Sequence, residues 1–555
     1  MTSVVTAGGV SVTIRGVVVD ETETVLDRLV SDGVPGSLTS GGTGLWGPDA
    51  APTAARRLGW LGLPERSRRL PGRLAELVGE ARGAGLDRIV LAGMGGASRA
   101  AEVIACAGGV ELTVLDTTDP HQVGDVLAGR LDRTLLVVSS KSGASVETDA
   151  HRRVFEHAFA EAGITGAALR RRFVVVTDPG SPLEAVAEAA GYRLVHADPD
   201  VGGRYGALSA SGLVPCALAG VDVARLLDEA AALVPALRQP YDNPALALGA
   251  VLGSSALGGR DKLVIADNGS GLPGLDGWIE PLVAESTGKD GKGLLPVVVE
   301  SVDAPGFEPT GDVRRVVLGS RPDDPAAGRD AGLSVAGPLG AQFLLWEYAT
   351  AVAGRVLGVN PFDQPDVRES EANTAALLRA EEGAAPTVVR TAPALVEGAV
   401  EVHAREESLQ GAKDLAGVFG AILTAAPDRG YLAVMAYLDR FGDASAAGLR
   451  SLLAERGARL RRHAAPVTFG WGPQALHTAG QYHKGGPRNG AFLQITGAVR
   501  EDVEVPGRPY TLGQLQLAQA FGDLRVLRSL GRPAFRLHLR DRDEGIAQLT
   551  KVLTG

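Results

Sequence analysis

The feature that most constrains this chain is a repeated pairing of a short apolar run with a small-residue loop and a helix. Arg88-Ile-Val-Leu-Ala runs into Gly93-Met-Gly-Gly, and a helical stretch follows from Ser98. Val110–Leu115 is a second run. Leu135–Ser139 is a third, ending in another small-residue loop before a helix over about Ser145–Glu161. Phe173–Thr177 and Tyr192–Val195 continue the series. Such short runs, apolar throughout and alternating with helices, predict βαβ units and a parallel sheet covered on both faces. The later chain repeats the style with Lys262–Ala266, Leu294–Val299, Tyr431–Leu438, Pro466–Gly470 and Gly490–Thr496, and with a long apolar helix over Gly340–Gly358. The expected class is therefore α/β, with two sandwiches in series. Val10–Val19 reads as an extended opening segment, and Ser301–Leu339 and Glu369–Leu415 read as loops or boundaries. Ligands are expected at the Gly- and Ser-bearing loops that follow the strands.

Composition narrows the function. Among 555 residues, 55 basic and 65 acidic side chains leave a net charge of −10, which argues against a general nucleic-acid binder. No run of 18 apolar residues predicts a membrane span, and no basic and apolar leader is evident. Two cysteines, Cys106 and Cys216, exclude a disulfide framework, so a reducing, cytoplasmic setting is expected. Only seven basic residues are lysine: Lys141, Lys262, Lys289, Lys292, Lys413, Lys484 and Lys551. Four of them fall within segments that stand out for other reasons.

The first such segment is Ser139-Ser-Lys-Ser-Gly-Ala-Ser-Val-Glu-Thr148. It puts five hydroxyls and a lysine between a strand and a helix, where backbone N–H groups and the helix dipole favour an anion. It also reads as a Ser-rich helix cap. Neither it nor Gly93-Met-Gly-Gly-Ala-Ser98 fits a P-loop. The second is Val283-Ala-Glu-Ser-Thr-Gly-Lys-Asp-Gly-Lys292, where a glutamate after apolar residues suits a base and Gly288 equally suits a helix end. The third, Asn360-Pro-Phe-Asp-Gln-Pro365, alone reads as a turn. The fourth, His477-Thr-Ala-Gly-Gln-Tyr-His-Lys-Gly-Gly-Pro487, offers proton shuttles or a solvated loop, without metal-ligand spacing.

Together, and in this order, these segments resemble the phosphoglucose isomerase family over most of the chain from about residue 85. The resemblance implies two sugar-isomerase (SIS) domains of three-layer α/β/α form with parallel sheets. They are placed at residues 76–240, with the phosphate loops, and 241–555, with C-terminal elaborations; residues 1–75 form an extension packed on the core. It implies an aldose–ketose isomerase of glucose 6-phosphate and fructose 6-phosphate, with Glu285 as the base, Arg204 in Val201-Gly-Gly-Arg-Tyr-Gly steadying the enediolate, and the phosphate held by Gly95, Gly96, Ser98, Ser140, Lys141, Ser142, Ser145 and Gln364. It implies no metal or organic cofactor, a sugar phosphate as ligand, no nucleic-acid or membrane partner, and a homodimer.

This sequence departs from the family pattern in three places. Glu371 stands where the family has a lysine seven residues after the glutamine. No histidine lies between Glu285 and Gln364, and Ala97 replaces a loop serine. The His477–Lys484 segment is similar to one in a bacterial subgroup that includes the isomerase part of transaldolase–isomerase fusions. It supplies His477, or alternatively His483, to open the ring, and Lys484 to restore the missing charge. A non-catalytic sugar-phosphate binder, motivated by Glu371, and an isomerase that also takes mannose 6-phosphate are the alternative readings.

Overall fold

Arg88–Gly93, Thr134–Ser139, Phe173–Thr177 and Arg193–His196 form, with Thr113–Leu115 on the edge beside the first of them, one five-stranded parallel sheet. The computed structural model that shows this describes residues 2–16, 18–319, 332–366, 368–380, 392–461 and 465–555. Residues 320–331 and 381–391, inside the two expected boundary stretches, lie outside the described residues. The central strands are buried on both faces, which is why their sequences run apolar rather than alternating.

The second sheet has six strands, in the order Thr2–Ala7, Val10–Arg15, Gly332–Ala336, Val313–Gly319, Lys262–Asn268 and Leu295–Val299. The last four are mutually parallel, while the amino-terminal hairpin pairs antiparallel with Gly332–Ala336. The expected extended segment over Val10–Val19 therefore ends at Arg15. Gly16 takes φ 82°, a left-handed value suited to glycine, and a helix begins at Val18. Two strands fall inside the stretch expected to be loop, because Arg314 and Arg315 interrupt the apolar run of Val313–Gly319. Arg314 is nevertheless buried, with Nε donating to Ser255 Oγ at 2.9 Å.

The strands expected to belong to the second sandwich divide between two sheets. Tyr431–Tyr437, Val467–Trp471 and Gly490–Gly497 join Ala534–Leu539, Val400–His403 and Leu395–Glu397 in a third six-stranded sheet. Its four longest strands are parallel and its two short ones antiparallel. Apolar patterning identifies a strand but not the sheet it enters, so the number of sheets was not readable from the chain.

Two long helices, Pro244–Leu257 and Leu339–Leu357, pack deep in the core and are buried nearly all round. Their close crossing depends on glycine: a Cβ on Gly249 would lie 2.6 Å from Val352 Cβ, and one on Gly253 would lie 2.5 Å from Val356 Cβ. Between the last two parallel strands runs the Leu512–Ser529 helix, opened by a capping box of Thr511 and Gln514. It brings the third sheet against the loops of the first.

Candidate functional site

Loops that follow strands of the first and third sheets meet the carboxyl end of the Leu275–Thr287 helix, which precedes the edge strand Leu295–Val299 of the second sheet. After Gly93 the chain passes through Gly95 at φ 84° and ψ −165°, a conformation open essentially to glycine, into the helix Gly96–Ala107. A Cβ on Gly96 would come within 3.0 Å of Arg204 Cα, so glycine lets the loop and the arginine segment touch. Gly95 N donates to Gln474 Oε1 at 3.3 Å, which ties this loop to the third sheet. Ser98 is buried beside Gly93.

The Ser-rich loop is organised by its own hydroxyls. Ser140 Oγ and Ser145 Oγ are 3.0 Å apart, Gly143 N donates to Ser140 Oγ, and Ala144 N donates to Ser142 Oγ. Ser145 then opens the helix Val146–Glu161. Lys141 departs from the sequence expectation. Its Nζ donates to both oxygens of Asp178, at 2.9 and 2.7 Å, and to the carbonyls of Asp198 and Pro199. Its charge is matched there, so it braces the loop and does not stand free for an anion.

Glu285 immediately precedes the Ser286-Thr-Gly-Lys289 turn, fully buried near the end of the helix Leu275–Thr287. Its Oε1 accepts from Gln481 N at 3.0 Å and its Oε2 from Gln364 Nε2. Gln364 thus reaches the carboxylate rather than the serine loops, because the Pro-flanked turn that carries it is bound to the same helix end. Lys289 Nζ makes that bond, donating to the carbonyls of Ser286 and Asn360 and pairing with Asp363 at 3.0 Å. Burial, then the nearby Arg204, push its pKa down to about 8. Lys292 donates to Leu357 O at 3.0 Å and braces the neighbouring helix.

Arg204 is buried beside Glu285. Its Nε donates to Ser286 Oγ at 3.1 Å, and one terminal nitrogen donates to Pro361 O and Asp363 O. The other terminal nitrogen, Nη1, has no protein acceptor among the described residues. Burial lowers the guanidinium's pKa while the charge of Glu285 opposes that shift. The pairing leaves a fixed cation beside a carboxylate held by two donors.

His477 and His483 separate sharply. His483 is buried between Tyr431 and Phe492, with Nδ1 2.9 Å from the Tyr431 hydroxyl. Burial, with the positive charges of Lys484 and Arg532, drives its pKa down to about 3, so it is a neutral core histidine. His477 keeps some exposure and places Nε2 3.6 Å from Glu147 Oε1. Burial works against its proton, but Glu147 first and then Glu285 and Glu371 outweigh it and raise its pKa. Burial would raise the pKa of Glu147, yet the opposing pull of His477 leaves it lowered. The raised imidazole contributes stability that is full below 6.5 and lost as pH climbs through its folded value; the depressed carboxyl contributes stability that is full above 4.5 and lost on acidification. The melting temperature of the wild type is therefore expected to exceed that of His477→Gln most between those pH values, with the gap closing on both sides in thermal melts.

Lys484 is buried in an ion pair with Asp523, 2.7 Å away. Its Nζ and Glu285 Oε1 border the same gap, 3.4 and 4.0 Å from where a Cβ on Gly480 would stand. Glu371, by contrast, is exposed on the helix Arg368–Ala380. The residues that sequence reasoning missed are Glu147, Gln474, Gln481, Gln519 and Asp523. Glu147 sits within the Ser-rich motif but has the ordinary position of a first-turn helix acid, Gln481 sits within the His477–Pro487 segment among stronger candidates, and Gln474, Gln519 and Asp523 belong to no local motif. Among the described residues no cluster of three or more His, Cys, Asp or Glu could hold a metal ion, and no helix is long and apolar enough to cross a membrane.

No family model matches the chain. Among curated proteins, it is 30% identical over 386 residues to the glucose-6-phosphate isomerase of Rubrobacter xylanophilus, covering 58% of this chain and 89% of that one. It is 34% identical over 218 residues to the probable glucose-6-phosphate isomerase of Haloarcula marismortui and 35% identical over 250 residues to that of Natronomonas pharaonis. These matches span 49% and 56% of the two relatives' lengths, and 38% and 44% of this chain. Among solved structures, a hypothetical protein of Thermus thermophilus superposes with a TM-score of 0.55 at 23% identity, over 68% of this chain and 99% of that one. A glucose-6-phosphate isomerase of Chlamydia trachomatis gives 0.54 at 18% identity, over 68% and 90%. At these identities the likeness is one of fold, and about a third of this chain lies outside each superposition.

Proposed function

The chain belongs to the glucose-6-phosphate isomerase family, and on that premise we propose that it interconverts glucose 6-phosphate and fructose 6-phosphate by an enediol proton transfer. The observation that carries this reading is the buried carboxylate of Glu285 beside the Arg204 guanidinium, with the His477–Glu147 pair close enough to feel its charge. A sugar C–H next to a carbonyl is a weak acid, so its removal needs a positioned base and a cation for the enediolate oxygen. Glu285 takes the C2 proton and returns it to C1, and Arg204 Nη1 steadies the oxygen. His477 gives a proton to the ring oxygen, with Glu147 holding the imidazole in its charged form. This chemistry moves protons only and needs no metal or organic cofactor.

The hydroxyls of Ser98, Ser140, Ser142 and Ser145, with the N–H groups of Gly95 and Gly96, hold the phosphate. The serine substitutions Ser98→Ala and Ser142→Ala are each expected to raise KM for fructose 6-phosphate about tenfold or more, the cost of one lost hydrogen bond to a charged group, with little change in kcat. Steady-state kinetics with a coupled assay checks this. A non-catalytic sugar-phosphate binder remains the second reading because Glu371 would repel an anionic sugar where the family has a lysine. Ordinary turnover of fructose 6-phosphate excludes it; tight binding of a sugar-phosphate analogue without turnover favours it. Assaying mannose 6-phosphate beside the other two sugars decides whether the substrate range is wider. A homodimer, a cytoplasmic setting and membership of the subgroup with transaldolase–isomerase fusions are the remaining parts of the proposal.

A further inference from the structure

We infer that Gln519, on the helix that crosses the third sheet, is a positioning residue that sets the contact between Glu147 and His477. The inference rests on the isomerase reading above and assigns a role to a residue that touches neither substrate nor reacting atoms. Gln516, Gln519 and Asp523 occupy one face of the Leu512–Ser529 helix at spacings of three and four residues. Each is buried, and each bonds a polar group on a different element. Gln516 Nε2 donates to Asp119 Oδ2 at 3.1 Å, Gln519 Nε2 donates to Glu147 Oε1 at 2.6 Å, and Asp523 pairs with Lys484.

Gln519 has the most specific arrangement of the three. Its Oε1 accepts from Thr118 Oγ1 at 2.7 Å, which fixes the orientation of the amide and forces Nε2 toward Glu147. A buried carboxamide costs free energy unless both ends are satisfied, and here both ends are. An apolar side chain would fill the same space without the Thr118 and Glu147 contacts. Gln519 and His477 also share one oxygen. Oε1 of Glu147 receives the short amide bond at 2.6 Å and stands 3.6 Å from His477 Nε2. The amide therefore competes with the imidazole for that oxygen and holds the pair short of a full ion-pair bond. A tighter bond would make the imidazolium a weaker acid and slow its proton transfer to the ring oxygen.

The titratable groups that face this pair are Glu285 and Glu371 around His477, and His151 beside Glu147, whose burial favours its neutral form. Gln519 is neutral, so its replacement by Met changes none of these charges. The test compares wild type, Gln519→Met and Thr118→Val, using the pH profile of kcat and the imidazole titration of His477 followed by NMR. Gln519→Met is expected to lower kcat on glucose 6-phosphate about tenfold, the factor for losing one hydrogen bond to a charged group, with KM kept. It is also expected to move the His477 midpoint upward, with the alkaline limb of the kcat profile, where the general acid loses its proton, moving in parallel. Thr118→Val, which only frees the amide, is expected to move both in the same direction by a smaller amount, and it carries the test if the Met variant does not fold. A His477 midpoint that stays at its wild-type value in the folded variants overturns the inference, whether or not kcat falls. A midpoint that moves in a protein whose wild type turns over no sugar phosphate leaves the positioning role standing and rejects the isomerase reading instead.

Discussion

Glu285→Gln is expected to lower kcat for both directions of the isomerisation by about a hundred-fold or more, the scale of general-base catalysis, while binding of a sugar-phosphate analogue is kept. The substitution preserves shape and removes only the basic oxygen. Gln481 N can still donate to the remaining carbonyl oxygen, and the serine loops that would hold phosphate are untouched. The contact with Gln364 changes character, because Gln364 Nε2 then faces either an oxygen or another amide nitrogen. Solvent deuterium incorporation at C2 measures the proton transfer directly and should fall with kcat. Near-normal turnover, or retained exchange at C2, would remove Glu285 from the proposed role and leave no other buried carboxylate beside Arg204 to replace it among the residues described.

The second large effect is expected at Lys484. Its ion pair with Asp523 is almost wholly withdrawn from water on both sides, so Lys484→Ala leaves a buried carboxylate unpaired and should destabilise the protein by about 3–5 kcal/mol. It should also abolish isomerisation, because Lys484 is the cation that borders the same gap as the Glu285 carboxylate. Stability and catalysis separate in the double variant Lys484→Met/Asp523→Leu. Replacing a buried ion pair by apolar groups of similar size is often near neutral, so that variant should melt close to wild type and still lack activity. Glu371→Lys should not improve activity, since residue 371 is exposed and removing its negative charge takes away support that it gives the protonated His477. A double variant that is both stable and active would show that Lys484 serves only to neutralise Asp523.

Much of the site's chemistry was legible because it sits in contiguous loops. Gly95 and the Ser-rich loop each follow a strand, where backbone geometry alone places residues at the carboxyl edge of a sheet, and Glu285 stands in the last turn of a helix. The readings that changed concern partners. Lys141 looked like a phosphate charge but is matched by Asp178, and Gln364 looked like a phosphate ligand but reaches Glu285. His483 and Lys484 are neighbours in the chain with unlike fates, one a neutral core ring and the other half of a buried ion pair. A sequence motif names the donors a loop carries, whereas the acceptors they find belong to other elements.

The sequence by itself determined the α/β class, the strands that build most of the parallel sheets, and the residue types gathered at their carboxyl ends. These follow from short-range rules: apolar runs of strand length, helical spacing between them, and glycine where φ is positive or backbones must touch. Only the tertiary structure decided that the described residues form three sheets rather than two, that the amino-terminal hairpin completes the second of them, and that the third supplies His477, Lys484 and the polar face of the Leu512–Ser529 helix. The reason is physical. Strand pairing and side-chain pairing across hundreds of residues are chosen by which surfaces and charges can be buried together, and no local pattern in the chain carries that choice.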